Sequence, residues 1–151
     1  MKIVIQKVKS AQVVVDEKIV GKINHGYVLL VGIEKDDTEQ DILRAAQKIS
    51  TLRLFEDDED KINLSIQDVK GEILSISQFT LAGDIRKGNR PSFTNAKAPD
   101  AANALYETFN KHLRDIGINV ETGVFQTHMN VILDNDGPIT MILEVKDGKV
   151  L

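Results

Sequence analysis

The sequence has no cysteine, no tryptophan and only three prolines. Without cysteine the chain forms no disulfide, has no thiolate nucleophile and cannot hold a cysteine-ligated zinc ion. It also lacks an apolar run approaching the ~18 residues of a membrane-spanning helix, and its first residues alternate like a strand instead of forming the apolar core of a signal peptide. We therefore expect a protein that does not enter membranes and that works in the cytoplasm.

A surplus of positive charge is also missing, since the formal net charge is −4. Contact with a nucleic acid would therefore need a local basic patch, and no DNA partner is expected. One such patch exists, because Arg86, Lys87 and Arg90 place three positive charges within five residues. We expect an anionic ligand at this end of the molecule.

The composition that is present, 42% hydrophobic and 28% charged over 151 residues, predicts a single domain over residues 1–151. The apolar pattern predicts an α+β fold with a largely antiparallel, barrel-like β-sheet of seven or eight strands and two main helices. A capping box from Thr38 to Asp41 opens the first helix, and Pro99 lies in the first turn of the second. Predicted strands include residues 3–8, 12–15, 18–23, 27–33, 118–121, 125–133 and 139–145, with a turn at 134–138 joining the last two.

Five consecutive acidic residues, 56–60, form the densest cluster of possible metal ligands. The run lacks the glycine and the ligand spacing of a calcium loop. We interpret it as a solvated turn, and the sequence predicts no metal site and no cofactor.

Of the three histidines, His128 is the candidate for a functional role, because it lies in the predicted strand 125–133. Side chains alternate between the two faces of a strand, which puts Phe125 and Met129 on one face and His128 on the other. If the apolar face lines a site, His128 points away from it.

The strongest candidate site is an apolar strand that turns polar at Ser77, Gln78, Phe79 and Thr80 and then enters the basic loop. Thr80 is a possible nucleophile, but its hydroxyl needs a base and no histidine, lysine or carboxylate lies beside it in sequence. The alternative is a structural threonine at the end of a strand.

Ser77-Gln78-Phe79-Thr80, together with residues 135–140 (NDGPIT) and the intervening KGNRP loop at 87–91, resembles the D-aminoacyl-tRNA deacylases. These enzymes hydrolyse D-amino acids from mischarged tRNA. The resemblance extends over essentially the whole chain. It implies a homodimer in which Gly137–Pro138 is a cis peptide inserted from one subunit into the active site of the other.

The resemblance also implies how such a site selects and cleaves its substrate. Main-chain atoms of Gly137 and Pro138 would leave no room for an L side chain, so that D-residues and glycine pass. The segment from Ser77 to Thr80 would hold the aminoacyl group, and backbone N–H groups near Phe79 and Thr80 would stabilise the oxyanion. The 2′-hydroxyl of the terminal ribose would help the attacking water, which accounts for the missing protein base.

The remaining implied roles concern the 3′ acceptor end of the tRNA. Phe125 and Met129 would pack against the terminal adenine, and Lys87 and Arg90 would meet phosphates. Two positions depart from the family pattern. Lys7 replaces an arginine thought to brace the Gly-Pro loop, and residues 126–128 (QTH) replace a stretch of smaller residues.

Two other functions stay open at this point. One is an esterase or amidase that uses Thr80 as its nucleophile and needs no RNA. The other is a tRNA-binding module that holds the acceptor end and leaves the ester intact.

Overall fold

The computed structural model describes residues 1–151 and contains nine strands, two α-helices and one 3-10 turn, Phe79–Ala82. The helices are α1 (Glu39–Thr51) and α2 (Pro99–Asp115). The strands are β1 (Lys2–Val15), β2 (Lys18–Ile23), β3 (Gly26–Gly32), β4 (Arg53–Glu56), β5 (Ile62–Ser65), β6 (Glu72–Ser77), β7 (Asn119–Thr122), β8 (Asn130–Lys146) and β9 (Lys149–Val150).

Seven strands form one sheet in the order β7-β6-β3-β1-β8-β9, with β2 also paired to β1, while β4 and β5 form a separate hairpin. The predicted fold class, an α+β domain with a curled sheet and two helices, is confirmed. The pairs β3–β6 and β6–β7 are parallel, which the sequence did not predict. Because β3 and β6 are parallel neighbours, their carboxyl ends meet at one edge of the sheet, where Val31 pairs with Ser77.

The first strand differs from the prediction of two short strands at 3–8 and 12–15. It is a single strand of fourteen residues that pairs with β2, β3 and β8. The pairing with β8 shifts between Val8 and Ala11, so an irregularity in the ladder takes up the polar residues in between. Strand β1 is consequently the central strand of the sheet.

The eighth strand corrects two further predictions. Residues 130–146 form one strand, so the expected turn at 134–138 is wrong. Both halves of β8 pair with β1, and the register moves from Gln6–Thr140 to Val8–Asn135 across the glycine-proline segment. The two paired positions are two residues apart on β1 but five residues apart on β8. The extra residues of β8 form a wide bulge that contains Gly137–Pro138. The predicted strand 125–133 is also wrong at its beginning, because β8 starts only at Asn130.

Apolar side chains fill both faces of the sheet. One core cluster joins the sheet to α1 and α2 and includes Ile5, Ile49 and Phe109, all fully buried. A second, smaller cluster lies under β2 and includes Val13, Val28 and Ile76. No helix is both long enough and apolar enough to cross a membrane.

The predicted capping box is confirmed and reaches further than expected. Asp41 is buried; its Oδ2 accepts the Thr38 N–H at 2.9 Å and its Oδ1 accepts the Gly148 N–H at 2.8 Å. Burial alone would raise the pKa of Asp41, but the hydrogen bonds from Gly148 and Thr38 hold it below its ordinary value. One carboxylate thus fastens α1 to the β8–β9 turn.

Asp41→Ala is expected to lower the free energy of unfolding by about 2 kcal/mol at pH 7, because two N–H groups lose a charged acceptor. Since the folded pKa is depressed, this contribution is fully present above the unfolded value near ~3.9 and is lost as the pH falls through the lower folded value. Urea unfolding at pH 7 and pH 3 measures it. Glu39→Ala, an exposed change in the same turn, should cost much less, and equal losses in the two variants would contradict the assignment.

Candidate active site

A cavity of about 540 Å³ opens where β3 and β6 end. Four segments line it: the end of β3, residues 76–79 at the end of β6, residues 93–102 before and within α2, and residues 125–131. Eleven of the eighteen lining residues are hydrophobic, so a ligand here would be held mainly by apolar contact and by a few polar groups.

Three of the four predicted catalytic residues, Ser77, Gln78 and Phe79, line this cavity, whereas Thr80 does not. Strand β6 ends at Ser77, and the Gln78 N–H continues the parallel ladder by donating to the Val31 carbonyl at 2.8 Å. Phe79 and Thr80 then begin the 3-10 turn. The first amides of a helical turn have no acceptor within it, so the N–H groups of Phe79 and Thr80 are available to a ligand.

The Thr80 hydroxyl accepts a hydrogen bond from the side-chain amide of Gln78, with Nε2 and Oγ1 separated by 2.5 Å. An amide N–H cannot take a proton, so this partner does not activate the hydroxyl as a nucleophile. Thr80 is exposed and is held by its neighbour within the turn.

The 3-10 turn packs directly on β3. A Cβ atom added at Gly32 would lie 2.7 Å from the Leu81 Cβ and 3.1 Å from the Gln78 carbonyl oxygen. Glycine at position 32 therefore sets how closely the turn approaches the sheet.

The far wall comes from residues 123–129, which form a turn with Gln126 at a φ of 61°. Phe125 and Met129 both line the cavity, and so does His128. The expectation that His128 points away is wrong, because the segment is not a strand and alternation does not apply. The Phe125 ring stacks on Tyr106 with centroids 6.4 Å apart.

Tyr106 links this wall to strand β6. Its hydroxyl donates to the Ser75 carbonyl at 2.7 Å, two residues before Ser77. Burial raises the pKa of Tyr106, so the hydroxyl stays protonated and remains a donor. Sequence reasoning missed this residue, since a tyrosine on the buried face of a helix gives no sign of its partner.

Phe93 and Lys97 also line the cavity and were missed. The Phe93 and Phe79 rings meet edge to face at its mouth, with centroids 5.1 Å apart. Phe79 is 57% exposed. Phe93 and Lys97 lie outside any regular apolar pattern, so no periodicity in the sequence indicated that they line a cavity.

Of the three basic residues in the loop, only Lys87 and Arg90 form no ion pair. Arg86 Nη2 lies 2.6 Å from Asp84 Oδ2, and the hydrogen bonds that Arg86 donates lower the pKa of Asp84 to about 2. Lys87 and Arg90 are exposed, form no ion pair and do not line the cavity. Any phosphate that they contact lies outside it.

Gly137 and Pro138 are exposed on the β8 bulge, do not line the cavity of their own chain, and are joined by a cis peptide bond. Lys7 lies buried beside the bulge, with Nζ 2.5 Å from Glu56 and 3.6 Å from Asp136. The hydrogen bond from Lys7 lowers the pKa of Glu56. The lysine therefore contacts the bulge through the Asp136 carboxylate.

The predicted solvated turn covers residues 57–60 of the acidic run, whereas Glu56 ends β4 and its carboxylate pairs with Lys7. Asp57 Oδ1 accepts the N–H groups of Glu59 and Lys61 at 2.9 and 3.1 Å. Its Oδ2 accepts the side-chain amide of Asn63 at 3.2 Å, so both oxygens of this carboxylate are used within the turn and the adjacent strand.

Comparison with known proteins gives consistent matches. The family model described as D-Tyr-tRNA(Tyr) deacylase matches residues 4–144. Proteins named D-aminoacyl-tRNA deacylase are 58% identical in Staphylococcus saprophyticus subsp. saprophyticus and 55% identical in Staphylococcus epidermidis, each over 151 residues and the full length of both chains. The relative in Exiguobacterium sp. is 56% identical over 144 residues, which is 95% of this chain and 98% of the relative.

Two solved structures share the architecture. One described as the c-Myc DNA Unwinding Element Binding Protein has a TM-score of 0.91 at 37% identity, with 95% of this chain and 98% of that chain covered. One described as a probable eukaryotic D-amino acid tRNA deacylase has a TM-score of 0.80 at 20% identity, covering 93% and 97%. The second shows the fold alone. With the family model and the full-length relatives in agreement, the resemblance is confirmed, and the chain belongs to the D-Tyr-tRNA(Tyr) deacylase family.

Proposed function

We propose that this chain is a cytoplasmic D-aminoacyl-tRNA deacylase that hydrolyses the ester of D-aminoacyl-tRNA and of mischarged glycyl-tRNA and rejects the L-aminoacyl form. The relatives described above, which are named D-aminoacyl-tRNA deacylase, support hydrolysis of the D-aminoacyl ester. The observation that carries the chemistry is the cavity edge at Ser77–Phe79, where the free amides of the 3-10 turn meet an apolar pocket with no acidic residue in its lining.

In this reaction the oxygen of a water molecule attacks the ester carbonyl of the aminoacyl group. The developing oxyanion accepts hydrogen bonds from the N–H groups of Phe79 and Thr80, which stabilise the negative charge in an apolar surrounding. The bond to the ribose oxygen then breaks, and a proton passes to that oxygen. The neighbouring 2′-hydroxyl orients the water and relays a proton from it to the leaving ribose oxygen, because none of Ser77, Gln78 and Phe79 supplies a base.

Rejection of L-residues depends on a second copy of the chain. The Gly137–Pro138 bulge does not line its own cavity, which supports a role at the cavity of a partner. In the homodimer its main-chain atoms occupy the space that an L side chain would need, and a D side chain projects outward.

The surface that receives this partner is the open part of the sheet beside the second core cluster. Val4 pairs with Leu30 on β3 and with Ile142 on β8, and these side chains continue the apolar face that carries Val28 and Ile76. Ile142 is 71% exposed. A second copy would cover this face and, because the bulge lies on the same strand as Ile142, would bring each bulge to the partner.

The acceptor end of the tRNA lies along the remaining walls. Phe125 and Met129 pack against the terminal adenine, a role suited to an aromatic ring backed by Tyr106 and to a polarisable thioether. Lys87 and Arg90 contact phosphates outside the cavity, an interaction that should weaken with added salt.

Thr80→Ala is expected to retain at least about one-tenth of the wild-type kcat, because its hydroxyl is held by Gln78 and has no base. Single-turnover release of D-tyrosine measures the rate, and Thr108→Ala, at a half-buried helical threonine outside the cavity, serves as the control. A loss of ~1000-fold or more would indicate a covalent nucleophile and favour the esterase alternative.

The proposal as a whole is tested by release of amino acid from matched D-tyrosyl-, L-tyrosyl- and glycyl-tRNA, with a chelator present. Rapid loss of the D and glycyl esters with survival of the L ester is the expected result. Equal hydrolysis of D and L esters would refute L-rejection and leave an esterase. Tight tRNA binding without hydrolysis would indicate a binding module.

A further inference from the structure

The charged residues of the cavity wall are few and of one kind. Among the eighteen lining residues only Lys97 and His128 are basic, and none is a carboxylate. A protein with a net charge of −4 thus keeps acidic side chains out of this wall and places two basic side chains in it. Such a wall suits an anion.

Lys97 is held in position by its own segment. Its N–H donates to the Ile33 carbonyl at 3.1 Å, and its Nζ donates to the Lys35 carbonyl at 2.8 Å. The side chain is half-buried and forms no ion pair. An ammonium group has three donors, so two remain for a ligand on a group that is already oriented.

His128 is positioned by the turn at 123–129. The Thr127 hydroxyl donates to the Val124 carbonyl at 2.8 Å, and the Gly123 backbone makes room for the Met129 sulfur on the far side. The imidazole is exposed and has no hydrogen-bond partner in the protein. An imidazole donates an N–H in either protonation state.

We propose that Lys97 and His128 form a phosphate subsite inside the cavity for the 5′-phosphate of the terminal tRNA nucleotide. The inference rests on the proposed function, because it assumes that the adenosine of the acceptor end occupies this cavity. The 5′-phosphate of this adenosine is then the anionic group nearest to the bound nucleoside. Lys87 and Arg90 lie outside the lining and serve phosphates further along the strand.

The test uses two minimal substrates, 3′-O-D-tyrosyl-adenosine and the same ester carrying a 5′-phosphate. We expect the wild-type protein to prefer the phosphorylated ester by about tenfold in kcat/KM, mainly through KM, which is the size of a charge-assisted hydrogen bond. The double variant Lys97→Met/His128→Ala should lower this ratio towards one. Lys87→Met and the exposed control Lys111→Met should keep the ratio, because neither residue lines the cavity.

A second measurement uses intact D-tyrosyl-tRNA at increasing salt. Loss of one phosphate contact should reduce the slope of log kcat/KM against log salt by about one in the double variant. Equal use of both minimal esters by the wild type, or an unchanged ratio and slope in the double variant, would overturn the subsite while leaving the deacylase standing. Failure of the wild type to hydrolyse D-tyrosyl-tRNA at all would instead refute the proposed function.

Discussion

Ile142→Asp is expected to convert the proposed homodimer into monomers and to reduce deacylation of D-tyrosyl-tRNA by at least about 100-fold. Ile142 is 71% exposed in the single chain, on the sheet face that continues the second core cluster. In the proposed dimer this side chain is covered. A carboxylate buried there without a partner costs several kcal/mol per subunit, and a two-fold interface would contain it twice.

The loss of activity follows from the loss of the partner rather than from damage to the cavity. Ile142 does not line the cavity, and neither does the bulge that is proposed to act across the interface. A monomer would keep the amides of the 3-10 turn but would lack the Gly137–Pro138 segment over its substrate. Sedimentation velocity and single-turnover deacylation, both at the same protein concentration, measure the two effects together.

Ile62→Asp supplies the matched control, since Ile62 is 56% exposed and belongs to the separate β4–β5 hairpin. This variant should remain dimeric and active. A wild-type protein that sediments as a monomer, or an Ile142→Asp monomer with full activity and full discrimination against L-tyrosyl-tRNA, would contradict the cross-subunit site.

Gly32→Ala is expected to lower kcat by about 100-fold, the size of effect that follows when reacting groups move by ~1 Å. The new Cβ would lie 2.7 Å from the Leu81 Cβ, so the turn would have to move off the sheet. The amides of Phe79 and Thr80 move with it. Stability should fall by only about 1–3 kcal/mol, because the turn lies at the surface and can shift.

A second substitution tests this cause directly. In Gly32→Ala/Leu81→Gly the opposing Cβ atom is removed, so the turn can return and part of the kcat should be recovered. Rate measurements on D-tyrosyl-tRNA and urea unfolding of both variants separate catalysis from stability. A Gly32→Ala protein with a wild-type kcat would show that the turn does not position the reacting groups.

Much of this architecture could be predicted from local patterns in the chain. The capping box at Thr38–Asp41 and Pro99 at the start of α2 were placed correctly, because capping depends on residues within one turn of each other. The polar end of β6 was identified as a site because Ser77 and Gln78 interrupt an apolar strand. The motif pair that includes Gly137–Pro138 identified the family, since motif spacing is a property of the chain itself.

The longer-range features could not be predicted in the same way. Residues 134–138 have the composition of a hairpin turn, yet both flanking halves pair with β1, and only that shared partner makes β8 one strand with a bulge. Likewise, the alternation of residues 125–133 predicted a strand, but the register with β1 begins only at Asn130.

The sequence by itself determined the fold class and the family, and it singled out the segment from Ser77 to Phe79 as a candidate site, because these depend on composition, periodicity and motif. The tertiary structure alone decided that His128 and Lys97 line the cavity, and that Thr80 and Gly137–Pro138 lie outside it. Each of these depends on which strands become neighbours. Strand pairing is fixed by contacts between residues far apart in the chain, and periodicity along one segment does not specify its partner.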